Sequence, residues 1–498
     1  MIVVGEILQF WIYRNPVRFI GGSDFLLYAK HSEEILRGQA PSMIWKPFGA
    51  GVWLAGYRLL FGDSMAGFAI FNSVALGLLP FFAFVFGTSL RGLTSGLICA
   101  ALVAISPACG TNSILAETPA TFFLALGVMS LAIFQRAGRA WLPALAAACV
   151  VAAWLCRPDS LVYAIAALAL AIRPGPGWRK FSGPITFVAA ASVLVLAVCW
   201  YNKPFYGRAL PVRYDSYLRH ILIFDTGKDY RVDSASPAIQ QIRNSLLQTG
   251  TVEEADMDGT NFLCWNRGWW VIRESLKETG GSYAEADRIM SEASMGVIRD
   301  NPGAFTGDAA RTFASFIAFR PVLEAFTFKG FEAKPDYAWR RFDFVQNDSP
   351  EIMSVAERLY IDVREARENL PYNNWDNPYS SRYLRFLWFA PFTVYPALLF
   401  LIWTATGLLR WQLMAILTSV MLAFAAYATG GFFDYRYLLS HSWALWALTG
   451  MGLAAAADLY LSRASRTKAA GQSAATLSPD SSETVMALER DGASAARG

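Results

Sequence analysis

Charge is scarce in this sequence: 16% of its 498 residues are Asp, Glu, Lys or Arg, whereas soluble domains carry roughly 25%. Hydrophobic residues reach 54% and the mean hydropathy is +0.32. A chain this poor in charge turns much of its surface toward something other than water. The net charge of +4 comes from dispersed basic residues, which excludes the basic patch of a nucleic-acid binder. Three histidines (His31, His220, His441) are too few and too scattered for a zinc site. The six cysteines (Cys99, Cys109, Cys149, Cys156, Cys199, Cys264) show no CxxC spacing. Most sit in apolar runs, where a thiol behaves as a small hydrophobe; the one pairing left open is Cys109 with Cys264. There is no ordinary signal peptide. Internal repeats are missing too, so the paired halves of many transporters are not in view.

What is present is a series of apolar runs, at 65–86, 93–108, 114–134, 141–156, 160–172, 184–200, 386–409, 411–428 and 437–462. A helix needs about 20 apolar residues to cross a bilayer core. The start, MIVVGEILQFWIY, adds a short run interrupted by Glu6 and brings the count to ten. It reads as a weak first span, or as one whose beginning is missing. The run at 160–172 is short enough to be a re-entrant or core helix instead. Basic residues in the short loops (Arg91, Arg136, Arg139, Arg173, Arg179, Lys180, Arg410) fall on one side, together with Arg463, Arg466 and Lys468 at the start of the tail. Under the positive-inside rule that side is cytoplasmic, provided the N-terminal run counts as a span. Both termini are then expected in the cytoplasm.

The expected fold is an all-α polytopic membrane protein of about ten transmembrane helices. A transmembrane core covers 1–200, with a first external loop at 18–62. A mixed, mainly helical external domain follows at 201–385, then the last helices at 386–462 and a disordered tail at 463–498. Within the external domain, ADRIMSEASMGVIRDNPGAFTGDAARTFASFI reads as two amphipathic helices broken at Asn301-Pro302. Juxtamembrane helices lying along the bilayer are the expectation for them.

The segment FIGGSDFLLYAKHSEEILRGQAPSMIWKPFGAGVWLAGYRLLFGDS carries several candidate groups. Asp24 opens a helical stretch and shares a face with Tyr28 one turn on, although Ser23 or Asp24 can equally be a helix cap. Lys46 precedes Pro47 and is either a ligand or a snorkelling anchor. His31 can tune Asp24 or lie on the helix surface. Elsewhere Glu117 opens an apolar run, where a carboxylate also suits the helix dipole. Arg157 and Arg436 sit at the ends of apolar runs, where an unpaired cation is costly and a functional role is favoured. Structural pairing of Arg157 with Asp159 or Glu117, and of Arg436 with Asp434, is the alternative. Lys203, Arg208 and Tyr435 are secondary candidates. His441 serves a site or hydrogen-bonds a neighbouring helix. Trp265, Trp269 and Trp270 either stack on sugars or anchor the chain at the interface.

The order of these features resembles the C-type membrane glycosyltransferases, the group that holds protein O-mannosyltransferases and lipid A aminoarabinose transferases. An acidic residue follows the first span, with Tyr four residues on, then Lys-Pro and an FGDS-type turn into span two. SPACGTNSILAETPATFFLAL, WLCRPDSLVYAIA, YNKPFYGRALP and DYRYLLSHSWALWAL resemble later segments of that pattern. The likeness covers most of 18–205 and 430–460. It departs at Ser23, where many relatives carry a second acid. The resemblance implies transfer of a sugar from a polyprenyl-phosphate donor to an acceptor hydroxyl, with inversion, at the periplasmic face of a bacterial inner membrane. It implies Asp24 as general base and Glu117 as a second carboxylate, with Lys46, Arg157 and Arg436 on the donor phosphate. No cofactor is required; a divalent cation is compatible but not indicated. The acceptor class is open among lipid, glycan and protein. The rival readings are a lipid-linked glycan flippase and an O-antigen ligase or polymerase.

Overall fold

The computed structural model describes residues 24–39, 48–106, 116–206, 231–250, 268–319, 350–368, 381–429 and 435–476. Every regular element among them is helical. Two helices lead the apolar series, α1 (Asp24–Leu36) and α2 (Gly49–Phe61). Next come α3 (Met65–Gly77), α4 (Leu79–Arg91), α5 (Leu93–Ile105), α6 (Glu117–Ala137) and α7 (Trp141–Cys156). A 3-10 turn (Pro158–Val162) leads into the short α8 (Tyr163–Ala171), followed by α9 (Ser182–Tyr206).

The local reasons are plain in several places. Ser64 caps α3, its side chain accepting from the Gly67 N–H. Leu78 keeps helical dihedrals between α3 and α4, and Pro80 falls in the first turn of α4, where its missing N–H costs nothing. The two helices therefore run on as one apolar stretch, Met65–Arg91. Gly138, with φ of 66°, closes α6 in the left-handed conformation that glycine adopts freely.

Among the described residues, six helices are long and apolar enough to cross a membrane: Met65–Arg91, Glu117–Ala137, Gly177–Lys203, Leu387–Thr404, Gly407–Thr429 and Ser440–Thr467. Leu93–Ile105, Trp141–Cys156 and Pro158–Ala171 are apolar but shorter. This is a helical membrane protein; the N-terminal run, the tenth expected span, lies outside the described residues. The run at 160–172 is a short core helix: α8 has nine residues, and Tyr163, Ala166, Ala167, Leu170 and Ala171 are all buried. By contrast, the α9 stretch leaves Ile185, Val188, Val193, Leu196 and Trp200 exposed, the surface a helix turns to lipid.

In 201–385 the described elements are α10 (Pro237–Gln248), α11 (Gly268–Gly280), α12 (Tyr283–Asp300), α13 (Pro302–Ile317) and α14 (Pro350–Glu368). No strand occurs among the described residues, so the mixed character expected of this region is not found there. The break falls at Asn301-Pro302 as anticipated, and Ser282 caps α12 through the Glu285 N–H. The end of α13 enters the bundle. Phe316 stacks on Phe424 with ring centroids 5.0 Å apart, and Phe319 lies edge-on to Tyr395 and Trp446. Phe319 has φ of 56°, costly for a bulky residue, and complete burial among those rings holds it there.

The chain closes with α15 (Ser381–Thr404), α16 (Gly407–Thr429) and α17 (Tyr435–Thr476). Helix α17 packs on α5 and α15, with Gly450 against the backbone of Cys99 and Gly452 against Ala397. It runs on to Thr476, so residues 463–476 of the expected disordered tail are helical. Ala, Arg, Lys and Gln are good helix formers, and the apolar span supplies a nucleus from which they propagate. Residues 477–498 lie outside the described residues.

The turns carrying basic residues share one end of the bundle. Arg136 donates to the carbonyls of Thr88 and Ser89, Gln135 to those of Leu170 and Ile172, and Gln412 to those of Ala169 and Ile172. The first residues of α6 and α17 and the last of α7 and α16 lie at the other end.

Candidate functional site

At that second end the ionisable residues meet. Helix α7 stops at Cys156 because Arg157 takes an extended conformation (φ −148°, ψ 121°) before Pro158; a residue ahead of proline is pushed out of the helical region. The Arg157 side chain is thereby released from the helix end. Its Nη1 donates to Glu117 Oε1 at 2.5 Å, its Nε to Asp159 Oδ1 at 3.2 Å, and its Nη2 to the Tyr427 hydroxyl. Asp159 Oδ2 lies 2.8 Å from His441 Nε2, and His441 Nδ1 lies 3.3 Å from the Tyr163 hydroxyl. The Tyr163 and His441 rings stack at 5.6 Å between centroids. Side-chain exposure is 10% for Arg157, 11% for Glu117, 8% for Asp159 and 1% for His441. Five elements supply this network: α6, the α7 end with the 3-10 turn, α8, α16 and α17. The Thr121 hydroxyl, donating to the Ser440 carbonyl at 3.2 Å, ties α6 to α17 beside it.

The first external segment packs against the same end. Gly49, opening α2, faces the backbone of Leu155 and Cys156, where a Cβ would come within 2.5 Å of the Leu155 carbonyl carbon. A Cβ on Gly51 would come as close to that of His31. These two contacts bring α1 and α2 beside the turn that carries Arg157. Trp53 adds an apolar seal, its ring 5.7 Å from that of Phe122 and its Nε1 donating to Asn72 at 2.8 Å.

A second set of charges fastens α14 over α1. Glu351, Arg37, Glu33, Arg58, Asp63 and Arg358 form a series of alternating sign, with successive N–O distances of 2.7, 2.7, 2.8, 2.8 and 2.9 Å. Both ends of the series belong to α14, at positions two helical turns apart and so on one face. Inside the ring, Ala356 and Leu359 of α14 pack with Phe25, Tyr28 and Ala29 of α1. Burial raises the Glu33 carboxyl, but hydrogen bonds from Arg37 and Arg58 outweigh it and hold the group below the usual carboxylate range. Nothing local in the sequence marks this ring, because its members come from 33–63 and 351–358.

The candidate residues divide accordingly. Glu117 and Arg157 are brought together, as are Arg157 and Asp159. The pairing considered as an alternative for Arg157 is therefore present, with both carboxylates at once. His441 bonds across helices to Asp159 and Tyr163. His31 is fully buried, which corrects the surface placement; α2 covers that face, with Gly51 packed against it. Tyr28 is 5% exposed, in the apolar contact with α14. Lys203 is exposed, its ammonium 5.9 Å over the Trp200 ring, and is not part of the network.

Asp24 is the first residue of α1, and Tyr435 and Arg436 open α17; their side chains lie outside the description. So do Lys46, Arg208, Cys109, Cys264 and Trp265, and the side chains of Trp269 and Trp270. Tyr163 and Tyr427 were missed: a tyrosine in an apolar run carries no signal of the partner it meets. Among the described residues no group of His, Cys, Asp and Glu is arranged to hold a metal ion. Comparison of the chain with protein-family models, with curated proteins and with solved structures finds no match.

Proposed function

We propose that the chain is a membrane glycosyltransferase that moves a sugar from a polyprenyl-phosphate donor to an acceptor hydroxyl, inverting the anomeric centre. The observation that carries this reading is the placement of ionisable groups. The buried Glu117–Arg157–Asp159–His441 network and the α1–α2 segment lie together at one end of an apolar bundle, while the basic turns lie at the other. In this reading ten helices cross a bacterial inner membrane, α8 doing so enclosed by its neighbours; both termini are cytoplasmic, and the network end is periplasmic, under the external domain 201–385.

Asp24, at the head of α1, takes the proton of the acceptor hydroxyl as that oxygen bonds to the anomeric carbon. The bond from that carbon to the phosphate oxygen breaks, and polyprenyl phosphate leaves. Lys46, Arg157 and Arg436 offset the charge growing on the phosphate; Arg presents a planar fork to it and Lys a point charge. Glu117 acts by holding Arg157, whose Nη1 donates to its Oε1. No divalent cation is needed for these steps.

The test is transfer or hydrolysis of radiolabelled polyprenyl-phosphate sugars by purified protein, wild type against Asp24→Asn. Turnover by the wild type that falls at least a hundredfold in Asp24→Asn, with lipid binding kept, is the expected result; general-base contributions are about 10²–10⁴-fold. Full activity in Asp24→Asn removes Asp24 from the chemistry. Movement of labelled lipid between leaflets without turnover replaces the enzyme with a flippase.

A further inference from the structure

We infer that Asp159 and His441 are a positioning pair, which sets the edge of the Arg157 guanidinium that meets an anionic oxygen of the donor phosphate. The inference rests on the transferase reading, in which Arg157 is a phosphate ligand. An arginine side chain leaving a helix end has several rotatable bonds, and a fork that is free to swing gives up binding energy to rotamer entropy. Here the three guanidinium nitrogens each have a different partner, on Asp159, Glu117 and Tyr427. The plane of the group is thereby defined.

The Nε side is built as a relay of fixed direction. Asp159 lies two residues beyond Arg157 and is constrained by Pro158 between them. Its Oδ1 accepts from Arg157 Nε and its Oδ2 from His441 Nε2 at 2.8 Å. A hydrogen on Nε2 leaves Nδ1 to accept from the Tyr163 hydroxyl at 3.3 Å, so one neutral tautomer satisfies every contact. The imidazole is 1% exposed and stacked on Tyr163, and Phe424 closes it edge-on at 6.3 Å. With both carboxylate oxygens engaged, Asp159 cannot turn, and Arg157 keeps its Nη edge toward Glu117. That carboxylate oxygen, 2.5 Å from Nη1, marks a place where this edge accommodates an anionic oxygen. Asp159 and His441 touch neither sugar nor phosphate in this scheme; they act through Arg157.

The test compares binding of a short polyprenyl phosphate with binding of the matching polyprenol to purified full-length protein. His441→Phe keeps ring volume and removes both nitrogens; His441→Gln retains an amide donor for Asp159. Expected is a loss of about tenfold in the phosphate-over-alcohol preference in His441→Phe, the scale of one hydrogen bond to a charged group. The donor KM rises in parallel, more than kcat falls, and His441→Gln restores the preference to within about threefold. A purely structural histidine predicts a lower Tm with an unchanged preference, and that result overturns the inference. Equal loss in His441→Gln and His441→Phe also overturns it. Should His441→Phe not fold, Tyr163→Phe deletes a single hydroxyl and is expected to lower the preference by about threefold; no change there overturns the inference. A wild-type protein with no preference for phosphate over alcohol removes Arg157 as a phosphate ligand, and the transferase assignment of that residue falls with the inference. Wild-type preference and turnover with an unaffected His441→Phe defeats the positioning pair alone.

Discussion

Arg157 shows how much a single buried cation can organise. It meets two carboxylates and a phenol contributed by three separate stretches of the chain. Replacing it with Met leaves Glu117 and Asp159 enclosed without their cation. Removing one partner of a buried pair typically costs about 3–5 kcal/mol, and Arg157→Met is expected to lower stability by that order in detergent. Glu117→Gln keeps an acceptor for Nη1 and leaves Asp159 as counter-charge, so its cost is expected to be the smaller of the two. A thermal or denaturant unfolding series ranks them; equal losses contradict this account of the network. Phe316 is the apolar counterpart at this scale. It is fully buried and stacked on Phe424, and its centroid lies 5.8 Å from that of Tyr427. Phe316→Ala is expected to cost about 3–5 kcal/mol through the cavity it opens, and to loosen the support beneath the Arg157 partner. The Arg-Pro-Asp triplet and a histidine in an apolar run were legible as candidates. Their joining was not, because Asp159 and His441 stand 282 positions apart.

Between elements, the ring of alternating charge decides how α14 lies on α1. Its members differ in burial: the Arg58 side chain is 5% exposed and that of Glu33 10%, while Glu351 is 76% exposed and Arg358 59%. Exposed ion pairs contribute about 0–1 kcal/mol, so Glu351→Gln and Arg358→Gln are expected to have small effects that salt diminishes. Arg58→Met leaves Glu33 enclosed with Arg37 alone and is expected to be the most damaging single change in the ring. A salt titration of the unfolding midpoint in these variants separates the two classes. Acid acts on the same contact. Glu33 titrates lower in the folded protein than in the unfolded chain; its contribution is complete above the ordinary carboxylate range. That contribution is lost as pH falls through the ordinary range to the lowered folded value. A Glu33→Gln variant is expected to show a shallower loss of Tm in that acid window; an identical slope removes Glu33 as the cause. The α12–α13 break was legible because Asn301-Pro302 is local backbone chemistry. Burial of α1 was not, since the surface position open to His31 is closed only when α2 is placed against it.

For the molecule as a whole, the alternation of helix ends matters most. Carbonyl contacts from Arg136, Gln135 and Gln412 gather the basic turns at one end, and the charged network occupies the other. In a background without native cysteines, Arg139→Cys and Glu278→Cys, both at exposed positions, are expected to react with an impermeant thiol reagent from opposite sides of sealed vesicles. Labelling of both from the same side overturns the proposed orientation. The exposed apolar face of α9 and the buried α8 divide the apolar helices into those that meet lipid and those that fill the core, a distinction that hydropathy cannot draw. Both helices are apolar, and their neighbours decide which of them meets lipid.

The sequence alone determined the class of protein, the positions of the apolar runs and the loops that carry basic residues. These depend on composition and local periodicity, which record the solvent a segment prefers. Tertiary structure decided that α8 is a core helix, that the end of α13 enters the bundle, and that Glu117, Arg157, Asp159 and His441 form one network. A buried charge takes its partners from whichever helices stand beside it, and adjacency between residues tens to hundreds of positions apart is a product of packing.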